Sequence, residues 1–181
     1  SSKAFQRSSQ SSELSAQKDP ANKLLSHWSI RRLEAEAIRD SILTLSGRLD
    51  TTLYGESVAS GDPRRSVYVK VIRNALDPFL TTFDLPVPFS ARGKRDATNV
   101  PAQSLTLLND SEVIDWSRSW AQRTTDANDD VRIRQMFLEA FSREATEDEI
   151  KQSQAYLASI QAQSAQAAQR LAEQESQLAT L

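Results

Sequence analysis

The sequence predicts a mainly α fold, an irregular multi-helix domain with at most one short strand and a long C-terminal helix. Three observations carry this expectation. Glycine and proline, the helix breakers, number only 4 and 6 in 181 residues, whereas Ala, Gln, Leu, Arg and Glu, which lose little side-chain freedom in a helix, are frequent. Apolar residues recur three and four apart in several segments. No glycine or proline occurs after Thr146. The length suffices for one domain with its own core. It divides into a partial helical domain with polar loops over 1–145 and a long Ala/Gln-rich helix over 146–181.

Residues 1–18 are rich in Ser and Gln and are expected to be flexible or extended. The chain starts at Ser1 and its opening shows neither cap nor core pattern, so a fragment of a longer protein is expected. Asp19-Pro20 reads as an N-cap with proline at the first helical position, ahead of a short helical stretch from Ala21 to Trp28. The first strong helix is expected from Ile30 to Ser46. Its apolar stripe is Ile30, Leu33, Ala37, Ile38, Ile42 and Leu45, and Gly47 stands at the place of a left-handed C-terminal cap. Arg32 and Glu36, four apart, are placed to pair on its exposed face.

Residues 47–65 form a loop. In SVYVKVIR (66–73), Val67, Val69 and Val71 alternate with Tyr68, Lys70 and Ile72, which predicts a strand. No second strand is visible to pair with it, so a helical turn is the alternative. Asp77-Pro78 opens a short helix with Phe79, Leu80 and Phe83 inward, and Pro86 and Pro88 then impose extended chain. A polar, basic loop covers 89–100. Pro101 starts a helix, which Asn109-Asp110-Ser111 interrupts or recaps. The next helix carries Val113, Trp116 and Trp120 on one face. Residues 124–130 are a loop, and Val131 to Phe141 is a helix with Ile133, Phe137, Leu138 and Phe141 as core. Thr146-Glu147-Asp148-Glu149 is a capping box that begins a helix of about 50 Å. The weak heptad Leu157, Ile160, Ser164, Ala167, Leu171, Gln174, Leu178, Leu181 has small and polar members. They argue against a strong coiled coil and for packing on other parts of the parent protein.

Composition narrows the function. A net charge of −2 makes the chain no polycation, so nucleic acid is not an expected partner. Without cysteine, this stretch has no disulfide, thiolate metal site, haem attachment or cysteine nucleophile. No run approaches the ~20 apolar residues of a membrane span, and no signal peptide is visible. His27, the single histidine, reads as a helix-end or half-buried residue beside Trp28. Asp126, Asn128 and Asp130 begin a calcium-loop pattern, but Val131 stands where glycine is needed and Phe137 where the bidentate glutamate belongs. The segment is therefore a loop capping the next helix, and no metal ligand is assigned. Trp116 and Trp120, one turn apart on an apolar face, read as core and not as a sugar platform.

Arg31, Arg32, Glu34, Glu36, Arg39 and Asp40 read as a salt-bridged helix face. Glu34, Glu36 and Asp40 are the acids that an enzyme would use, but no catalytic residue is assigned. The segment from Arg64 to Arg95 holds seven basic residues against two acids. The candidate anion- or partner-binding set is Arg64, Arg65, Arg73, Asn74, Arg92, Lys94, Arg95, Asn99 and Gln103. Guanidinium forks with amides nearby hold a carboxylate, a sulfate, a sugar or a neighbouring domain. The other reading, that these arginines tie loops to carbonyls and helix ends, is favoured because no Gly-rich phosphate cradle accompanies them.

Three blocks, RRLEAEAIRDSILTLSGRLD (31–50), RRSVYVKVIRNALDPFLTTFDLP (64–86) and RDATNVPAQSLTLLND (95–110), resemble signature blocks of the planctomycete PSD-one domain, a family of unknown function. KAFQRSS near the start and the stretch before TEDE fit as well. The resemblance covers about residues 3–150, taken as the C-terminal portion of the domain. It implies a large exported protein of the periplasm or cell envelope, in which this domain follows a cytochrome-c-like domain. Haem c would then sit in that separate domain, with no cofactor in this fragment. The implied partners are other domains of the same protein, and the resemblance carries over no catalytic residue. The expected function is a non-catalytic structural or interaction domain. The alternatives are a binding module for acidic or sulfated polysaccharide and part of a polysaccharide-degrading enzyme.

Overall fold

A computed structural model describes residues 2–3, 6–89, 91, 93–124 and 128–179, with side chains up to Glu175. Among the described residues there are seven α-helices and no sheet: α1 (Glu13–Lys18), α2 (Ala35–Ser46), α3 (Pro78–Thr82), α4 (Pro101–Asn109), α5 (Ser111–Arg123), α6 (Asp129–Phe141) and α7 (Glu147–Ala179). A 3-10 turn at Ser66–Tyr68 lies between α2 and α3. The mainly helical fold with a long last helix is as expected. No described helix is long and apolar enough to cross a membrane.

The main core lies where α2, α3 and α5 meet. Ala35, Leu43, Phe79, Leu80, Phe83, Val113 and Trp116 are buried there, each large side chain contributing about 1.5–3 kcal/mol. Phe79 centres it, 4.9 Å from the Phe83 ring and edge-on to Trp116 at 6.4 Å. A smaller core joins α6 to the first turns of α7 through Ile133, Ala145 and Ile150, with Phe137 packed alongside.

Local capping sets most boundaries. Asp77 accepts the Leu80 N–H at 2.8 Å and Pro78 follows at the first helical position, which fixes α3. Asp110 ends α4 and starts α5, its Oδ1 accepting from Glu112 N and Val113 N. Asn128 caps α6 through the Asp130 N–H. Thr146 and Glu149 exchange side-chain-to-backbone bonds, the reciprocal capping box that starts α7. Gly47, at φ 72°, ends α2, and a Cβ there would meet Arg123 Nη1 at 2.9 Å.

Several expectations are corrected. The stretch 1–18 contains a helix, α1, and residues 21–28 form none. Asp19 ends α1, and its carboxylate takes the N–H groups of Lys23 and Leu24 in a turn. The first strong helix starts at Ala35, not Ile30. Ile30 and Leu33 are 84% and 56% exposed, because Arg32 leaves the helix path to bond the end of α3. The predicted strand at 66–73 is a 3-10 turn followed by isolated bridges, Val58 with Val69 and Ile72 with Ala75. Asp40 holds the turn by accepting from Ser66 N and Oγ, both at 2.7 Å. Of the three alternating valines only Val69 is buried. Leu138 and Phe141 are exposed on α6 and not core. Trp120 is half-buried, its indole N–H donating to Glu139 at 2.7 Å. Of the C-terminal heptad, the Leu178 side chain and Leu181 lie outside the described residues, as does Asp126 of the calcium-like loop.

Candidate functional site

Most of the charged residues singled out in the sequence fall into two groups, both tied to α2. The first surrounds Arg39, which α2 presents between Ala35 and Leu43 on its buried face. Arg39 is 1% exposed. Its Nη1 donates to Arg64 O at 3.0 Å and Ser66 Oγ at 3.3 Å, and its Nη2 donates to Asp62 O at 2.5 Å. The guanidinium also lies 5.8 Å from the Trp116 ring centre. No carboxylate pairs with it directly among the described residues, so carbonyl dipoles and an aromatic face carry its charge.

Arg64 repeats the pattern one layer out. Its Nη1 donates to Glu56 O at 3.0 Å, and its Nη2 donates to Thr52 O at 3.0 Å and Tyr54 O at 2.5 Å. Its face stacks on Tyr68 at 4.0 Å. One guanidinium thus gathers three carbonyls of the 52–56 loop. Arg65 lies 3.5 Å from Asp40. Arg73 sits over the Phe89 ring at 5.4 Å, and Asn74 is exposed in the turn that closes the Ile72–Ala75 bridge.

The second group forms a groove of about 660 Å³ between the segment before α2, the end of α3 and the loop before α4. Arg31, Arg32, Glu34, Asp84, Lys94 and Arg95 line it. Arg32 is its strut. It donates to Phe83 O at 3.1 Å, to Asp84 Oδ2 at 2.5 Å, and to Thr98 O. Asp84 also accepts from Thr98 N at 2.7 Å and Oγ1 at 2.9 Å. The Thr98 N–H is the main cause that lowers its carboxyl pKa, burial opposing and the Thr98 hydroxyl and Arg32 adding to the effect. Asp84 holds a left-handed φ of 67°, a conformation a non-glycine residue keeps only where such contacts over-determine it. Gln103, buried, ties α4 to the same knot by donating to Thr82 O at 3.0 Å and Thr98 Oγ1 at 3.2 Å.

Arg95 bonds Glu36 at 2.6 Å and reaches Glu34 at 3.2 Å. Burial acts to raise the Glu36 pKa, but the Arg95 hydrogen bond, the Glu36 backbone and the Arg95 charge outweigh it and bring the carboxyl below its ordinary value. The expected Arg32–Glu36 pair is therefore replaced by Arg32–Asp84 and Arg95–Glu36. Lys94 is exposed at the groove rim, and Asn99 is exposed beside a shallow hollow at the start of α4. Arg92 lies outside the described residues. Among the described residues, Arg31 and Lys94 have no ion-pair partner.

The candidate set is thus not one cluster. Arg64 and Arg65 belong with Arg39, whereas Lys94, Arg95 and Gln103 belong to the groove and its support. Of the three acids, Glu34 and Glu36 share one guanidinium, and Asp40 is occupied by the Ser66 turn. Glu36, with its pKa held below the ordinary value, is a poor proton donor at neutral pH.

The raised carboxyl lies elsewhere, at Glu112. Burial comes first and Asp110 second, with Asp77 adding and Arg39 opposing. Its Oε1 would lie 2.8 Å from a Cβ at Gly61. Sequence reasoning missed Glu112, and it placed Arg39 on a salt-bridged face where the structure buries it against loop carbonyls. For Arg39 a signal existed, because Ala35 and Leu43 stand four residues to either side and place it mid-stripe.

A family model described as PSD1, protein of unknown function (DUF1553), matches residues 1–157. No curated protein and no solved structure matches the chain.

Proposed function

This chain belongs to the PSD1 family of proteins of unknown function, and from that premise we propose that it is a non-catalytic interaction domain of a larger cell-envelope protein. The observation that carries the reading is the destination of the arginines. Arg39 and Arg64 end on loop carbonyls, and Arg32 and Arg95 end on carboxylates that hold separate segments together. Groups bonded in this way set the shape of the surface and are not available to a substrate.

The groove rim is the part left to a partner. Arg31 and Lys94 stand there beside the exposed Ile30 and Leu33, a mixed apolar and basic edge suited to a partner segment with a carboxylate among apolar side chains. On this reading the partner is another domain of the same polypeptide. The resemblance of the three sequence blocks to exported cytochrome-linked proteins supports that context, with haem c in a separate domain.

The test is a photo-activatable side chain at position 94 of the intact protein in its native host. Cross-links from that position to a different domain, lost in a Leu33→Asp variant, are the expected result. Cross-links confined to residues 1–145, or none, contradict it. The same two unpaired cations favour the second reading, an acidic or sulfated polysaccharide at this rim.

A further inference from the structure

From Gln154 to Glu175 every residue of α7 is exposed, so this part of the helix packs against nothing in the chain. It is not polar all round. Leu157 is 37%, Ile160 43% and Leu171 60% exposed, and with Ser164 and Ala167 between them they form one seam of alternating three- and four-residue spacing. Such a stripe on a solvated helix marks a face that awaits a second element.

The flanking charges say which element. Arg170 precedes the seam residue Leu171, and Glu175 follows the seam residue Gln174. Five residues apart, they are not neighbours on one helix, and neither has an ion-pair partner within the chain among the described residues. In a parallel, in-register pair of helices, the residue just before one seam position faces the residue five further along on the partner. Arg170 of each copy would then meet Glu175 of the other, twice by symmetry. An antiparallel pair offers no such match. There, residues of Arg170's row (Tyr156, Gln163) face one another, as do those of Glu175's row (Gln161, Ala168), and neither row holds the opposite charge beyond Ser153.

We propose that α7 from Gln154 onward is a self-association arm, through which two copies of this chain pair side by side, parallel and in register. Ser164 and Ala167 allow close approach but bury little, so the pairing is reversible. The site is separate from the groove, and the inference does not depend on the proposed function.

The chain has no cysteine, so single introduced thiols report the geometry directly. In sedimentation equilibrium the full chain is expected to rise with concentration from 20.2 kDa toward twice that mass. Arg170→Glu is expected to weaken the dimer roughly five-fold, Glu175→Arg likewise, and the double exchange to restore it. Oxidation should cross-link both Ser164→Cys and Gln174→Cys to themselves, whereas Gln166→Cys on the outer face should stay monomeric. An antiparallel pair cannot bring two positions ten residues apart each against its own copy. A mass of one chain at all concentrations, self-cross-linking at only one of the two seam positions, or no restoration by the double exchange overturns the proposal.

Discussion

Arg64→Ala separates an architectural arginine from a ligand-binding one. Arg64 makes three hydrogen bonds from a charged donor and one stack on Tyr68 at 4.0 Å. Water can reach the carbonyls of the exposed residues Thr52, Tyr54 and Glu56 once the guanidinium is gone, so each bond is set at about 1 kcal/mol, the figure for an uncharged pair and below that for a charged donor. The stack adds about 0.5–1 kcal/mol. The expected loss is therefore about 3–4 kcal/mol, read from the urea midpoint by tryptophan fluorescence with an unchanged m-value. Arg64→Lys keeps the charge but not the fork, and should lose about half as much. In hydrogen exchange, protection should fall around 50–69 and not in α6. A loss below about 0.5 kcal/mol, the figure for an ordinary surface change, would refute the reasoning and return Arg64 to the solvent.

Three further outcomes follow from the same geometry. Arg39→Met leaves Asp62 O and Arg64 O without their donors and should cost about 2–4 kcal/mol in the same assay. Glu112→Gln should stabilise the protein at neutral pH. The folded-state pKa of Glu112 is raised, so its favourable contribution is present below the ordinary carboxyl range and lost as pH rises through the folded value. The advantage of the variant over wild type, followed as urea midpoints against pH, should therefore vanish in acid. Glu149 has the opposite sign, with its pKa lowered to about 2, first by Arg143 and then by the Thr146 N–H. Its support of the α7 cap is complete above the ordinary carboxyl range and lost as pH falls through about 2. Glu149→Gln should thus lower helicity at pH 7 and match wild type near that acid limit.

The elements legible in the sequence are those governed by neighbours in the chain. Asp77-Pro78, Asp110 and the Thr146–Glu149 box each act within four residues and each sits where the sequence places it, whereas α6 starts at Asp129, two residues ahead of the expected Val131, with Asn128 as its cap. Apart from the Asp19 turn, which is closed by Lys23 and Leu24 nearby, the main parts that were not legible depend on distant partners. Arg32 pulls residues 30–34 out of the helix toward Asp84, 52 residues away. Asp40 sets a 3-10 turn at the head of the alternating valines through Ser66, 26 residues away. The candidate site shows the same limit. The sequence displays guanidinium forks and amides, but a fork looks alike whether it ends on a carbonyl, a carboxylate or a ligand. Arg39 shows how a charged residue is assigned to the wrong face, since a salt-bridged face and a buried polar stripe share the same spacing on a helix.

The most direct measurement is a calorimetric titration of the protein with a panel of sulfated and carboxylated polysaccharides at physiological salt. If the basic side chains serve the architecture of this domain and its junction with a neighbour, no glycan gives saturable heat. Saturable binding that Lys94→Ala abolishes, in a variant shown to be fully folded, would contradict the account.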